Sequence, residues 1–325
     1  LKKSNQQLAF EPSDFGYINS SKSNKGTAAG YLSCNFSGSR RFKSGSVRDH
    51  ILGFRGVNGK GDIIKSGGTV VKNVTGYDFS KLITGSFGTL IALTELTFKV
   101  LPMKNSSGTL IIHEDNKDEI AKLFNNLLGS SNEISGSVFV PIEPSNKKFN
   151  KNREEIFKFN DLKYEGPFLA IRMEGSKKSI DERIRDLLIE LNLKNKKKSI
   201  LDLHQSLLFW EKINNLELFS NIKNSLVRVV VPPSKCINLM KYLDNDCKYY
   251  IDWCGTLFWI EILNMNQEKL IIIKDYITNL GGYITIIKNS ENLPPLQDVF
   301  TIDETRLLIS KKIKESFDPK RIFNP

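Results

Sequence analysis

The path from Gly26 through Thr27, Ala28, Ala29 and Gly30 to Ser33 and Asn35 concentrates glycine, hydroxyl and methyl side chains. Such residues let a backbone approach a ligand closely and aim several N–H groups at it, which is what a pyrophosphate requires. The same composition suits a small-residue surface loop, and composition by itself favours that plainer reading. Other chemistries have less support. There is no G-x-G-x-x-G, P-loop, G-x-S-x-G or H-E-x-x-H string. Cys34, Cys236, Cys247 and Cys254 form no C-x-x-C pair, which argues against structural zinc and iron–sulfur clusters and suits a reducing cytoplasm. His50, His113 and His204 lie far apart, without the spacing of a local metal site. Arg40, Arg41 and Arg48 suit an anion or acidic partner as well as an exposed basic loop. Lys72 is ambiguous, Tyr77 reads as a packing aromatic with its hydroxyl tied, and Trp253 and Trp259 read as core.

These residues need elements to hold them. Residues 26 to 102 are rich in glycine and turn signals, with short elements. Asn58-Gly59 between two apolar runs predicts a tight hairpin. Asp78 is placed to cap a helix bearing Phe79, Leu82 and Ile83 on one face, with Gly85 as its stop. From Leu90 the pattern predicts strict alternation, with Leu90, Ala92, Leu96, Phe98 and Val100 on one face until Pro102. Between 105 and 290 strand-then-helix patterns repeat, predicting a ferredoxin-like α+β domain in which Ile251–Leu263 is one strand. Residues 146–155 and 192–199 read as its exposed loops.

The whole chain has 325 residues, with 40% hydrophobic and 26% charged. That is ordinary globular composition and enough for two domains. The net charge is +11, but its lysines are scattered, and Lys147-Lys148 and Lys196–Lys198 lack interleaved aromatics. Solvated surface is the better reading than a nucleic-acid groove. No apolar run is long enough for a membrane helix, and the N-terminus carries no apolar signal core, so a soluble protein is expected.

Several strings occur in an order that resembles a known family. They are E-P-x-x-x-G at Glu11–Gly16, G-x-R-R at Gly38–Arg41, G-S-V-R-D at Gly45–Asp49, V-K-N-V-T-G-Y-D at 71–78 and G-S-x-G-T-L at Gly85–Leu90. I-D-W-x-G at Ile251–Gly255 and D-P-x-x-x-F-N-P at 318–325 follow. Together they resemble the vanillyl-alcohol-oxidase-type, or PCMH-type, FAD-binding flavoproteins, and more narrowly the E subunits of bacterial glycolate oxidases. The resemblance implies an α+β chain in three parts. Residues 1–103 would form the second lobe of a PCMH-type FAD-binding domain, 104–295 a ferredoxin-like cap, and 296–325 a segment returning to the FAD domain. It places Thr27, Ala29 and Gly30 at the FAD pyrophosphate, with Ser33 and Asn35 further along the path. Asp49, Ile51 and Leu93 fall toward the adenosine half and Asn324 near the isoalloxazine edge. Ala29 and Ile91 stand where the family usually has glycine.

The implied reaction is oxidation of glycolate to glyoxylate, with electrons leaving through an iron–sulfur subunit. The related catalytic subunits carry an H-x-G-D-G-N-x-H-type motif that this chain lacks. Substrate oxidation is therefore expected on a flavin-containing partner subunit, no catalytic residue is assigned here, and no metal is expected. A stand-alone 2-hydroxy-acid oxidase and a non-redox scaffold are the alternatives. The family's preceding lobe, with the first phosphate loop, does not precede Glu11 here, so the isolated chain is expected to bind FAD weakly or not at all. The implied location is cytoplasmic, with room for peripheral membrane association through the complex.

Overall fold

The structure, a computed structural model, describes residues 1–19, 26–69, 76–141, 154–158, 166–243, 247–290 and 299–324. The readings of Lys72 and of most of its string, of Lys147-Lys148 and the greater part of the 146–155 loop, and of Pro325 lie outside the described residues. The chain divides into two compact units. Unit 1 comprises Leu1–Asp14, Asn24–Met103 and Ile302–Pro325, and unit 2 comprises Phe15–Ser23 and Lys104–Thr301.

Unit 1 has strands β1 (Gln6–Gln7), β2 (Ile51–Asn58), β3 (Ile63–Gly67), β4 (Ile91–Phe98) and β5 (Leu101–Pro102). Strand β2 lies between β3 and β4, antiparallel to both, and β1 pairs with β5. Phe10, Leu32, Val47, Phe54, Ile83 and Leu90 form its buried core. The hairpin between β2 and β3 forms, but its turn is longer than the predicted Asn-Gly pair. Asn58 Oδ1 accepts from the N–H groups of Lys60 and Asp62, each at 2.9 Å, and the left-handed residue is Gly61 (φ 90°). The asparagine side chain thus takes over the backbone's role in closing the loop.

The predicted alternation in β4 also needs correction. Its register against β2 shifts between Leu93 and Glu95, so Thr94 is an extra residue. A bulge of this kind changes which side chains face inward. Ile91, Leu93, Leu96 and Phe98 belong to the core, while Ala92 is exposed. The helix Phe79–Ile83 forms as its sequence predicts, with Asp78 accepting from Lys81 N at 3.1 Å. Tyr77 does not pack as expected. It is 89% exposed, touching Phe79 edge-on at 6.5 Å between ring centres.

Unit 2 contains β6 (Ser106–His113), β7 (Gly136–Val140), β8 (Phe168–Gly175), β9 (Lys198–Leu201), β10 (Ser225–Val230), β11 (Cys247–Asp252), β12 (Leu257–Ile262) and β13 (Tyr283–Lys288). They form one sheet of order β13-β10-β12-β11-β7-β8-β6-β9, antiparallel at the pairings. The order resolves into two βαββαβ units, each ferredoxin-like. Helices Lys117–Gly129 and Lys177–Glu190 serve the first, and Cys236–Tyr242 and Gln267–Asn279 the second. In both, the third strand lies between the first and second, and the fourth flanks the first. The two join where Ile251 pairs with Phe139. A ferredoxin-like reading was legible, but its duplication was not, because the two copies share helical and strand periodicity rather than residues.

Other expectations change in detail. Ile251–Leu263 is a hairpin, not one strand. Asp252 accepts from Trp253 N at 2.6 Å, and Trp253, Cys254 and Gly255 all have positive φ, reversing the chain between β11 and β12. The 192–199 loop ends in β9, which pairs with β6. Trp253 and Trp259 are both buried, Trp259 on β12 as expected and Trp253 in the reversal rather than on a strand. Residues 1–103 do not act as one piece. Phe15 packs on Trp259 and Ile18 enters the core of unit 2, because both apolar side chains find an aromatic partner surface there. Val299 and Thr301 likewise hydrogen-bond to β13, so the segment belonging to unit 1 resumes at Ile302.

Candidate cofactor site

The small-residue path of unit 1 folds into the helix Ala28–Cys34. Thr27 is its N-cap, accepting from Gly30 N at 3.0 Å. The first-turn N–H groups of Ala28 and Ala29 have no acceptor within a helix, and nothing larger than a methyl stands on those two residues. A Cβ at Gly30 would lie 3.2 Å from Thr27 Oγ1, tighter than most real contacts. This end of the helix offers donors and close approach together, so the residues present fit a phosphate-bearing group. Ala29 is compatible with that role because its backbone is helical, where alanine is the most favourable residue.

The other end of the helix is tied to two further segments, and through one of them to the tail. Asn35 closes the helix in the left-handed conformation (φ 51°), and its Oδ1 accepts from Arg48 N at 3.2 Å. Gly85 N donates to Leu32 O at 3.1 Å, and Phe87 N to Ser33 O at 2.8 Å. Phe87 itself is left-handed (φ 54°), a conformation that costs a non-glycine residue about 1 kcal/mol. Both its backbone groups are used, since Asn324 Nδ2 donates to Phe87 O at 2.9 Å. Thr27, Gly30, Ser33, Asn35 and Asn324 therefore belong to one connected structure, about 10 Å long along the helix.

Asp49, Ile51 and Leu93 behave differently. The Asp49 carboxylate accepts from Ser46 N (2.7 Å) and Ser46 Oγ (2.8 Å), capping the helix Val47–His50. Burial alone would raise its pKa, but the Ser46 bonds and the charges of Lys81 and Arg41 outweigh this and hold it below the usual carboxylate value. Ile51 is buried at the start of β2 and supports the sheet. Leu93 pairs opposite Gly56, five residues along β2 from Ile51, or about 16 Å away. Ile91 packs over Gly56, whose absent Cβ leaves it the space.

Arg40 is engaged within the fold. Its guanidinium pairs with Glu11 at 3.1 Å, and its N–H donates to Glu11 Oε2 at 2.6 Å, with both side chains largely buried. The E-P and G-x-R-R strings thus meet in space. Arg48 is exposed, with Nε donating to Lys81 O at 3.4 Å while Lys81 Nζ donates to Arg48 O. The histidines are spread as well. His50 Nε2 bonds Ser44 O at 2.8 Å, and His204 lies exposed on the helix Leu203–Asn214. Among the described residues no cluster of three or more metal-ligating side chains occurs.

Sequence reading missed how the tail is held. Asp318, fully buried, accepts from the N–H groups of Ile322 and Phe323 at 2.9 Å each, and from Lys314 Nζ at 2.7 Å. Burial pushes its carboxyl up, but the lysine and the two N–H groups outweigh that and hold it low. The i, i+4 spacing of Lys314 and Asp318 was the available signal.

No protein-family model matches the chain. The Escherichia coli (strain K12) glycolate oxidase subunit GlcE is 28% identical over 328 residues, covering 100% of this chain and 76% of that protein. Bacillus subtilis (strain 168) glycolate oxidase subunit GlcD is 36% identical over 104 residues, 32% of this chain and 22% of that protein. A solved VAO-type flavoprotein from Myceliophthora thermophila C1 matches with a TM-score of 0.59 at 12% identity, over 99% of this chain and 62% of its own. The chain thus spans about three-fifths of that solved relative.

Proposed function

We propose that this chain, which resembles a glycolate oxidase E subunit along its whole length and has the fold of the VAO-type flavoproteins, is the FAD-binding subunit of a glycolate oxidase complex. The observation that carries the reading is the full-length similarity to GlcE, supported by a helix start that fits a phosphate. When bound, FAD would supply a two-electron carrier in this subunit, the alcohol carbon itself being oxidised on the flavin-containing partner.

The chain's own residues bind and orient. The N–H groups of Ala28 and Ala29 would meet the pyrophosphate, with Thr27 holding the helix start. Asn35, Phe87 and Asn324 fix the loop and tail at the other end. Asp49 caps the helix Val47–His50 and so holds the segment expected beside the adenosine half. His50 Nε2 bonds Ser44 O, and the chain carries no H-x-G-D-G-N-x-H-type motif. The base that takes the hydroxyl proton of glycolate is therefore assigned to a flavin-containing partner subunit, with an iron–sulfur subunit as electron acceptor.

Purifying the chain with its partner subunits and measuring FAD per chain tests this. Gly30→Trp should lower FAD affinity by about a hundredfold or more, because the indole fills the approach the phosphate needs. Stoichiometric FAD on the variant would overturn the reading. Loss of FAD with undiminished glycolate oxidation by the complex would favour the scaffold alternative.

A further inference from the structure

The tail's attachment is more elaborate than holding a helix requires. Lys314 Nζ donates to three oxygens, Thr89 O at 2.8 Å from a distant loop and Asp318 Oδ2 at 2.7 Å and Asn324 O at 2.8 Å from its own tail. Asp318 accepts in turn from Ile322 and Phe323 and so shapes the turn that ends at Asn324. Its side of the cluster is closed by Gly59, whose N–H donates to Phe317 O at 2.9 Å. A Cβ at Gly59 would lie 2.1 Å from Asp318 Oδ1. Three segments far apart in sequence therefore converge on one ion pair.

Buried ion pairs contribute little net stability compared with apolar side chains of similar volume. An aliphatic contact would anchor the helix Glu304–Phe317 as well, and Ile313 and Phe317 already pack on the unit 1 core. What directional bonds add is geometry. Here they fix the carbonyl at Thr89, the backbone at Asn324 and, through Asn324 Nδ2, the left-handed Phe87.

We propose that Lys314 and Asp318 are positioning residues for the flavin site, setting Asn324 and the Phe87–Gly88 turn in place before the cofactor binds. This rests on the FAD reading given above. Neither residue is assigned a contact with the cofactor. Each acts through the tail and the loop.

The test uses the chain co-purified with its partner subunits, stripped of flavin, as wild type, Lys314→Met and Lys314→Arg. Hydrogen exchange at the amides of Ile322, Phe323 and Phe87 reports the clasp without flavin, and FAD titration reports the site. Lys314→Met should lose protection at all three amides and bind FAD about tenfold more weakly, with Lys314→Arg recovering most of both. Lost protection with unchanged FAD affinity would overturn the positioning role, as would retained protection. Wild type that takes up no FAD would overturn the flavin reading and this role with it, while the exchange data would still say whether the clasp exists. If Lys314→Met fails to fold, Asp318→Asn weakens the same clasp from its other side at unchanged side-chain size. It should weaken FAD and lower protection at Ile322 and Phe323, and unchanged values for both would overturn the proposal.

Discussion

Unit 1 and unit 2 are stabilised in different ways. In unit 2 a continuous antiparallel ladder is packed with large aromatics. Phe157, Phe168, Phe209 and Trp210 touch one another, and the Arg172 guanidinium lies 4.5 Å from the Trp210 ring centre. In unit 1 short elements are joined by side chains that bond to backbone: Thr27, Asn35, Asn58, Asp49, Asp78, Asp318 and Asn324. The first arrangement makes a rigid platform from non-directional burial. The second leaves backbone donors accessible at a defined place, which burial alone cannot do. A binding site for a phosphate needs the second kind.

The difference can be tested by removing one device from each unit. Trp210→Ala should have the largest effect. The ring is 2% exposed, and its Nε1 donates to Thr109 Oγ1 at 2.8 Å. The cavity should cost about 3–5 kcal/mol, read from urea unfolding, while Thr109 Oγ1 keeps its bond to Ser206 Oγ at 2.7 Å. Gly59→Ala in unit 1 should cost less, about 1–3 kcal/mol, since the clash with Asp318 is relieved by shifting a loop. Equal costs for the two would break the comparison.

Acid should act through carboxylates in both units, more gently. The Glu114 carboxyl in unit 2 is raised by burial but held low overall by Lys196 and the N–H groups of Asn116 and Asp115. Asp49 and Asp318 in unit 1 are also depressed. A carboxyl whose folded pKa is depressed contributes stability above its unfolded value, near 4, and loses it as pH falls through the folded value. Stability should therefore be flat from neutral pH to about 5 and fall below about 4. Asp318→Asn should flatten that fall within unit 1, as measured by exchange at Ile322 and Phe323. An unchanged acid profile would remove Asp318 from the account.

Much of unit 1's chemistry could be read locally. The cap of Asp78 on the helix after it was read in advance, since such caps depend on two or three neighbouring residues, whereas the cap of Thr27 lies on a path that the sequence presented as a loop. The strings E-P, G-x-R-R, G-S-x-G-T-L and D-P-x-x-x-F-N-P were recognisable without their reasons. Those reasons are contacts between strings: Glu11 with Arg40, Ser33 with Phe87, and Asn324 with Phe87. Asp49 shows the limit from the other side. The resemblance placed Asp49 toward the adenosine half, and the structure adds that its carboxylate accepts from Ser46 three residues earlier. Tyr77 was read as packed because aromatics usually are, and the structure leaves it exposed.

The sequence alone determined the helix start at Asp78, the apolar faces of the long helices and the presence of repeated βα units in unit 2. Each depends on spacing within a few turns of chain, and hydrophobic period records it. Tertiary structure decided that the βα units form two ferredoxin-like copies in one sheet and that Phe15–Ser23 joins unit 2. It also decided that Lys314 links Thr89, Asp318 and Asn324. Strand order and the partners of a charged side chain depend on which distant surfaces close first around apolar area. Residues 225 apart in sequence, such as Thr89 and Lys314, leave no periodic trace of meeting.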